Sequence, residues 1–147
     1  MCAEVDFLFA QCGVELDFLA DRDSRIIALD AEAIRKLLLN LLSNALKFTP
    51  KGGSVRVRVK TEGRFVKITV ADTGMGIPEE ALSHIFERFY RVDKARSRQT
   101  GGSGLGLAIV RAIVSRNRGE IRVDSQVGVG TRFYVTFPIF DTEVDAT

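Results

Sequence analysis

The stretch VRVRVKTEGRFVKITV, residues 55–70, alternates twice. Val55, Val57 and Val59 interleave with Arg56, Arg58 and Lys60; beyond the Glu62-Gly63 turn, Val66, Ile68 and Val70 interleave with Lys67 and Thr69. Successive side chains on a strand point to opposite faces. The pattern therefore predicts an antiparallel pair with one apolar face buried and one cationic face in water. A sheet that is wet on one side needs helices on the other side only.

Upstream stands the longest helical pattern. Ile34, Leu37, Leu38, Leu41, Leu42 and Ala45 fall on one stripe, with Asp30 placed to cap the start and Thr49-Pro50-Lys51-Gly52-Gly53 to stop it. Before it, residues 14–20 alternate and read as a half-buried strand, 26–29 as a second short strand, and 5–10 as a short helix or strand. After the central pair, residues 79–89 predict a helix, 91–103 a mobile polar loop, 105–114 a helix, and 120–123 with 132–137 a closing strand pair joined through Gly128-Val129-Gly130. Runs of strands, with helices that can all lie on one side, predict an α/β (α+β) two-layer sandwich. Strict strand–helix alternation, the mark of a doubly wound sheet, is missing.

At 147 residues the chain predicts one domain, residues 1–140, followed by an acidic tail at 141–147. A net charge of +2 is too small to argue for nucleic acid or an anionic membrane. Cys2 and Cys12 match no metal or redox spacing and read as reduced thiols of a cytoplasmic domain. Glu4 and Asp6 stand where a signal peptide needs positive charge, and no apolar run is long enough to span a bilayer.

Three motifs carry chemistry. On the long helix Asn44 lies about 40° from Asn40 and Lys47 about 20° to the other side, so the three share a face beside the apolar stripe. Two asparagines in a helix interior are unfavourable. A neutral amide oxygen suits Mg²⁺ that already bridges phosphates, and a lysine one turn on can meet a phosphate. The plain alternative is a solvated helix edge. Asp72-Thr73-Gly74-Met75-Gly76-Ile77-Pro78 follows a strand: Asp72 is an acceptor suited to an exocyclic amine, and Gly74 and Gly76 permit close backbone approach. The plain alternative is a turn. Gly101-Gly102-Ser103-Gly104-Leu105-Gly106-Leu107 opens a helix whose N-terminus can face phosphates, or is merely a hinge. It has neither the Walker nor the dinucleotide-fold spacing.

Between the glycine loops, Phe86, Phe89 and Tyr90 have core spacing, and Arg88, Arg91, Lys94, Arg96 and Arg98 bring positive charge near the presumed phosphates. His84, the only histidine, fits no metal or triad pattern and reads as a surface or packing residue.

Taken in order, the motifs resemble the catalytic and ATP-binding domain of bacterial two-component sensor histidine kinases, over residues 14–138. Asn40 to Pro50 resembles the family's asparagine box, Asp72 to Pro78 its first glycine box, Ile85 to Tyr90 its phenylalanine box, Gly102 to Leu107 its second glycine box, and Gly130-Thr131-Arg132-Phe133 the strand signature beyond. The resemblance implies the Bergerat fold: a mixed sheet of about five strands with three helices on one face, and ATP held under a lid at 91–104.

It also implies roles. Asn40, Asn44 and Lys47 would form the catalytic set, with Asn44 on Mg²⁺. Lys47 and Arg91 would meet phosphate. Phe48, Asp72, Gly74, Gly76, Ile77 and Thr131 would hold adenine. Gly102, Ser103, Gly104, Leu105, Gly106 and Leu107 would hold phosphates. Where related gyrase-type ATPases have a water-activating glutamate, this chain has Asn40, whose amide cannot take a proton. That favours phosphoryl transfer over hydrolysis.

No stretch resembles the family's phosphoacceptor histidine motif. The expected partners are therefore a separate histidine-bearing helical hairpin and, downstream, a response regulator; the domain alone is expected to be a monomer that binds ATP without phosphorylating itself, with no nucleic-acid partner. Two other readings remain open: a stand-alone regulatory serine kinase of the anti-sigma-factor type, and a nucleotide sensor without transfer.

Overall fold

The computed structural model describes residues 3–20, 31–87 and 106–139. Helix α1 (Ala3–Cys12) ends at Gly13, whose φ of +68° lets Val14 N–H bond back to Phe9 O at 3.0 Å. Strand β1 (Glu15–Ala20), helix α2 (Ala31–Phe48), strands β2 (Ser54–Glu62) and β3 (Phe65–Asp72), the short helix α3 (Glu79–Leu82), helix α4 (Gly106–Arg116), and strands β4 (Glu120–Gln126) and β5 (Gly130–Pro138) follow. The strands form one sheet in the order β1-β2-β3-β5-β4. β1 runs parallel to β2 and the other pairings are antiparallel, so the sheet is mixed, as expected.

The alternation of the central hairpin places its side chains as predicted. Val55, Val57, Val59, Val66, Ile68 and Val70 are buried, and Phe133, Val135 and Phe137 of β5 continue that face. Against it lies the α2 stripe of Leu37, Leu38, Leu41, Leu42 and Ala45, with Val110, Ile113 and Val114 of α4 and Val5 and Phe9 of α1 in the same core. Burying each such side chain contributes about 1.5–3 kcal/mol, which is what holds the two layers together. The opposite face is polar. There Glu62 bridges Lys67 at 2.9 Å and Lys60 at 3.2 Å, and Arg56 reaches Asp17 at 3.5 Å. Lys67, then Lys60, hold the exposed Glu62 carboxyl below its ordinary value.

Some expectations change. The expected helix at 79–89 is not continuous over its described part, residues 79–87. α3 stops at Leu82, and the chain continues through bonds from His84 N to Ala81 O and Glu87 N to His84 O, each spanning three residues. These tight turns bring the sequence neighbours Ile85 and Phe86 both inward: Ile85 is buried, and Phe86 meets Phe133 edge-on at 6.4 Å between ring centroids. α4, β4 and β5 run slightly beyond their expected ends. The expected strand at 26–29, the Asp30 cap, the loop at 91–103 and the tail at 141–147 lie outside the described residues.

Candidate functional site

The site is built where the end of β3 meets β5. Asp72 is the last residue of β3, paired in register with Thr131 on one side and Val55 on the other. It is only 9% exposed. Its Oδ1 accepts hydrogen bonds from Gly74 N at 2.9 Å and Thr131 N at 3.2 Å. Burial raises the carboxyl pKa, and these two N–H donors partly offset that shift. No hydrogen bond engages Oδ2 among the described residues, which leaves an acceptor for an incoming donor.

The loop after Asp72 is fixed by backbone approach. Met75 N–H bonds to Phe48 O, the C-terminal carbonyl of α2, at 3.1 Å. At Gly74 a Cβ would lie 2.4 Å from that same carbonyl oxygen. Gly76 has a φ of +78°, and a Cβ there would lie 2.2 Å from Gln126 O. Both glycines are therefore structural necessities of the loop, through contact with protein backbone. Gly128 N–H bonds to Met75 O at 2.8 Å, and Ile77 N–H bonds to Ser125 Oγ at 2.7 Å, so the β4–β5 turn clamps the loop from the other side.

The polar face of α2 forms a second wall. Asn40 Nδ2 donates one of its two hydrogens to Lys36 O at 2.8 Å, which anchors the amide to its own helix. Its Oδ1 then faces the N-terminus of α4, where a Cβ on Gly106 would stand 3.2 Å away. The first N–H groups of a helix are the natural partners of an anion. Asn44 is half-buried one turn further along α2. At the helix end Lys47 Nζ lies 5.9 Å from the Phe48 ring centroid.

The structure thus brings Asp72, Gly74, Gly76, Ile77 and Thr131 into one cluster and joins it to Phe48 through the Met75 bond. Asn40 and Gly106 meet separately, with Leu107 half-buried beside them. Arg91, Gly102, Ser103, Gly104 and Leu105 lie outside the described residues. No group of three His, Cys, Asp or Glu residues able to hold a metal occurs among the described residues. The donor suited to a cation here is a neutral amide, which coordinates Mg²⁺ best when phosphates supply the charge.

One residue was missed by sequence reasoning. Ser125 accepts from Ile77 N, lies 3.1 Å from Gly130 O and 2.8 Å from Thr131 Oγ1. Its signal was present, since it continues the inward alternation of Ile121 and Val123. Gly130, named only within the strand signature, has a packing reason as well: a Cβ there would stand 2.0 Å from Asp72 O. His84, by contrast, is an exposed residue paired with Glu87 at 2.9 Å, as a surface role requires.

The one-sided mixed sheet, the buried carboxylate and the glycine-braced loops occur together in a known class of ATPase domains. The chain belongs to the family of histidine kinase-, DNA gyrase B- and HSP90-like ATPases, whose profile matches residues 29–141. It is 40% identical over 141 residues to the sensor histidine kinase RppB of Synechocystis, covering 95% of this chain and 31% of the relative. The mycobacterial sensor histidine kinase MprB superposes with a TM-score of 0.74 at 30% identity, covering 92% of this chain and 90% of that one. Full-length ShkA, solved in complex with AMPPNP, gives 0.72 at 32% identity over 92% of this chain and 28% of that one. Within the family the chain corresponds to the catalytic ATPase domain of sensor histidine kinases, with the Bergerat fold. It spans about a third or less of the curated relatives' length.

Proposed function

We propose that this domain binds Mg²⁺-ATP between the polar face of α2, the Asp72 loop and the N-terminus of α4, and donates the γ-phosphoryl group to a histidine on a helical hairpin of its parent kinase. A response regulator would take the phosphoryl group next. The observation that carries the reading is Asp72: a buried carboxylate with one oxygen tied to two backbone donors and the other left for an amine. That ShkA was solved with AMPPNP supports nucleotide use at this fold.

In this reading Asp72 and Thr131 hold the base, with Phe48 and Ile77 against it. Lys47 and the α4 N-terminus neutralise phosphate charge, and Arg91, Gly102, Ser103, Gly104 and Leu105 are assigned to ATP binding by the family resemblance alone. Asn44 would hold Mg²⁺, which would supply further neutralisation of the triphosphate. The acceptor imidazole nitrogen attacks the γ-phosphorus, the bond to the β–γ bridging oxygen breaks, and ADP leaves with that electron pair. Positioning and charge neutralisation supply the catalysis. The Asn40 carboxamide is too weakly basic to take a proton from water, so water is not activated there. No helix among the described residues is long and apolar enough to cross a membrane; a cytoplasmic monomer without nucleic-acid partners completes the proposal.

The test supplies a histidine-bearing hairpin of a related sensor kinase in trans with γ-labelled ATP. Acid-labile, base-stable label on the hairpin is expected. Acid-stable phosphoserine on a different partner would instead favour the regulatory serine kinase. Hydrolysis of ATP in the absence of any acceptor, at a rate matching transfer, would overturn the reading.

A further inference from the structure

The Ser125 hydroxyl has three partners, and valence assigns its hydrogen. A serine hydroxyl offers one donor and two acceptor sites. Ile77 N–H, 2.7 Å away, can only donate. Gly130 O, 3.1 Å away, can only accept. The Ser125 hydrogen therefore belongs to Gly130 O, one lone pair belongs to Ile77 N–H, and the remaining lone pair must receive the Thr131 hydroxyl hydrogen across 2.8 Å. All three contacts are satisfied by this arrangement alone. Its consequence falls on Thr131. With its hydrogen turned toward Ser125, Thr131 Oγ1 has only lone pairs left for the site.

Thr131 and Asp72 are register partners on adjacent strands, both buried on the helix-facing side of the sheet. The wall they form thus presents two acceptors side by side. That polarity matches an amino group and the water beside it, and opposes a carbonyl oxygen at the same position.

We propose that Ser125 is a positioning residue that locks the Thr131 hydroxyl as an acceptor and thereby sets the preference of the site for a 6-amino over a 6-oxo purine nucleotide. The inference rests on the nucleotide-binding reading above and adds to it the residue that fixes hydrogen-bond polarity. Without Ser125 the Thr131 hydroxyl is free to rotate and donate, and a 6-oxo base meets a donor instead of a second acceptor.

The experiment measures dissociation constants of Mg²⁺-ATP and Mg²⁺-ITP by calorimetry for the full chain and its variants. Ser125→Ala is expected to lower the ATP-over-ITP preference about tenfold, the scale on which an unpaired polar contact discriminates ligands. Ser125→Thr, which keeps an oxygen at the position, restores the preference. Combining Ser125→Ala with Thr131→Val gives no further loss beyond Thr131→Val alone, because the two act through one hydroxyl. A purely structural role for Ser125 would lower thermal stability yet leave the preference ratio unchanged, and that result overturns the inference. Asp72→Asn is measured alongside. If wild type fails to bind Mg²⁺-ATP, or Asp72→Asn binds it unchanged, the underlying nucleotide reading fails; if both behave as expected while Ser125→Ala keeps the wild-type ratio, only the inference about Ser125 fails.

Discussion

Asp72→Asn separates recognition from folding. The substitution keeps the shape and an oxygen to accept from Gly74 N and Thr131 N. It replaces the second carboxylate oxygen with an NH₂ group that faces the ligand's amine, donor against donor. Loss of a charge-assisted hydrogen bond costs about 1.5–3 kcal/mol, and a buried unmatched donor adds about 1–3. An overall loss near 3 kcal/mol weakens binding by about 100-fold. With Mg²⁺-ADP at 100 times the wild-type dissociation constant, ligand stabilises wild type by about 2.7 kcal/mol but the variant by only about 0.4. For a domain of this size that is a melting shift of about 5–10 °C against about 1 °C.

The ligand-free proteins behave oppositely. Burial raises the Asp72 pKa above its unfolded value. The folded state thus binds the proton more tightly, and the associated stability is fully present below the unfolded pKa and lost as pH rises through the folded one. At neutral pH the ionised carboxylate is a cost, so apo Asp72→Asn melts at or above the wild-type temperature, and wild type loses ground to it as pH rises through the folded pKa of Asp72. Scanning fluorimetry over pH, with and without Mg²⁺-ADP, checks both halves. A variant that keeps the full ligand shift, or that is destabilised without ligand at neutral pH, refutes the reasoning.

Gly76→Ala and Gly128→Ala share a positive φ, but only the first meets backbone within 4 Å. Gly128→Ala should cost about 1 kcal/mol for the left-handed conformation. Gly76→Ala should cost about 3, since parting the loop from Gln126 also sacrifices the bonds to Gly128 N and Ser125 Oγ, each worth about 1 kcal/mol; urea melts of the two would come out equal if the contact were immaterial. Leu41, fully buried between the layers, should lose about 2–5 kcal/mol on change to Ala, with the spread set by how far the cavity relaxes, and a loss under 1 kcal/mol by denaturant titration would contradict the packing described.

The sheet and its helices were legible because their side chains obey a period. Val55 to Val70 alternates over two strands, and the leucines of α2 return every three or four residues, so burial on one side follows from local order alone. What the sequence did not disclose depends on partners far along the chain. The stretch after α3 carries apolar residues at helical spacing, yet Ile85 and Phe86 both turn inward because Phe133 and the core offer them places. Gly74 and Gly76 were read as room for a ligand, whereas the backbone carbonyls of Phe48 and Gln126 already occupy that room. Ser125 lay beyond the strand expected at 120–123 and drew no reading, since its three partners come from the Asp72 loop, the β4–β5 turn and β5. The family resemblance supplied roles for Asp72 and Thr131 but no network between them.

The register that pairs Asp72 with Thr131 also makes the proposed base-recognition pair part of the main ladder of the sheet. A slip of one residue between β3 and β5 would turn the carboxylate to the opposite face and leave Ala71 in its place. Loop drift alone cannot retune the recognition of the base's edge, and partial melting of the central strands erases it entirely. On the proposed function, nucleotide affinity doubles as a gauge of global folding: amide exchange at Asp72 and Thr131 should slow together with that of Ile68 and Val135, on the timescale of whole-domain opening, while the flanking turn at Gly128 exchanges on its own faster clock.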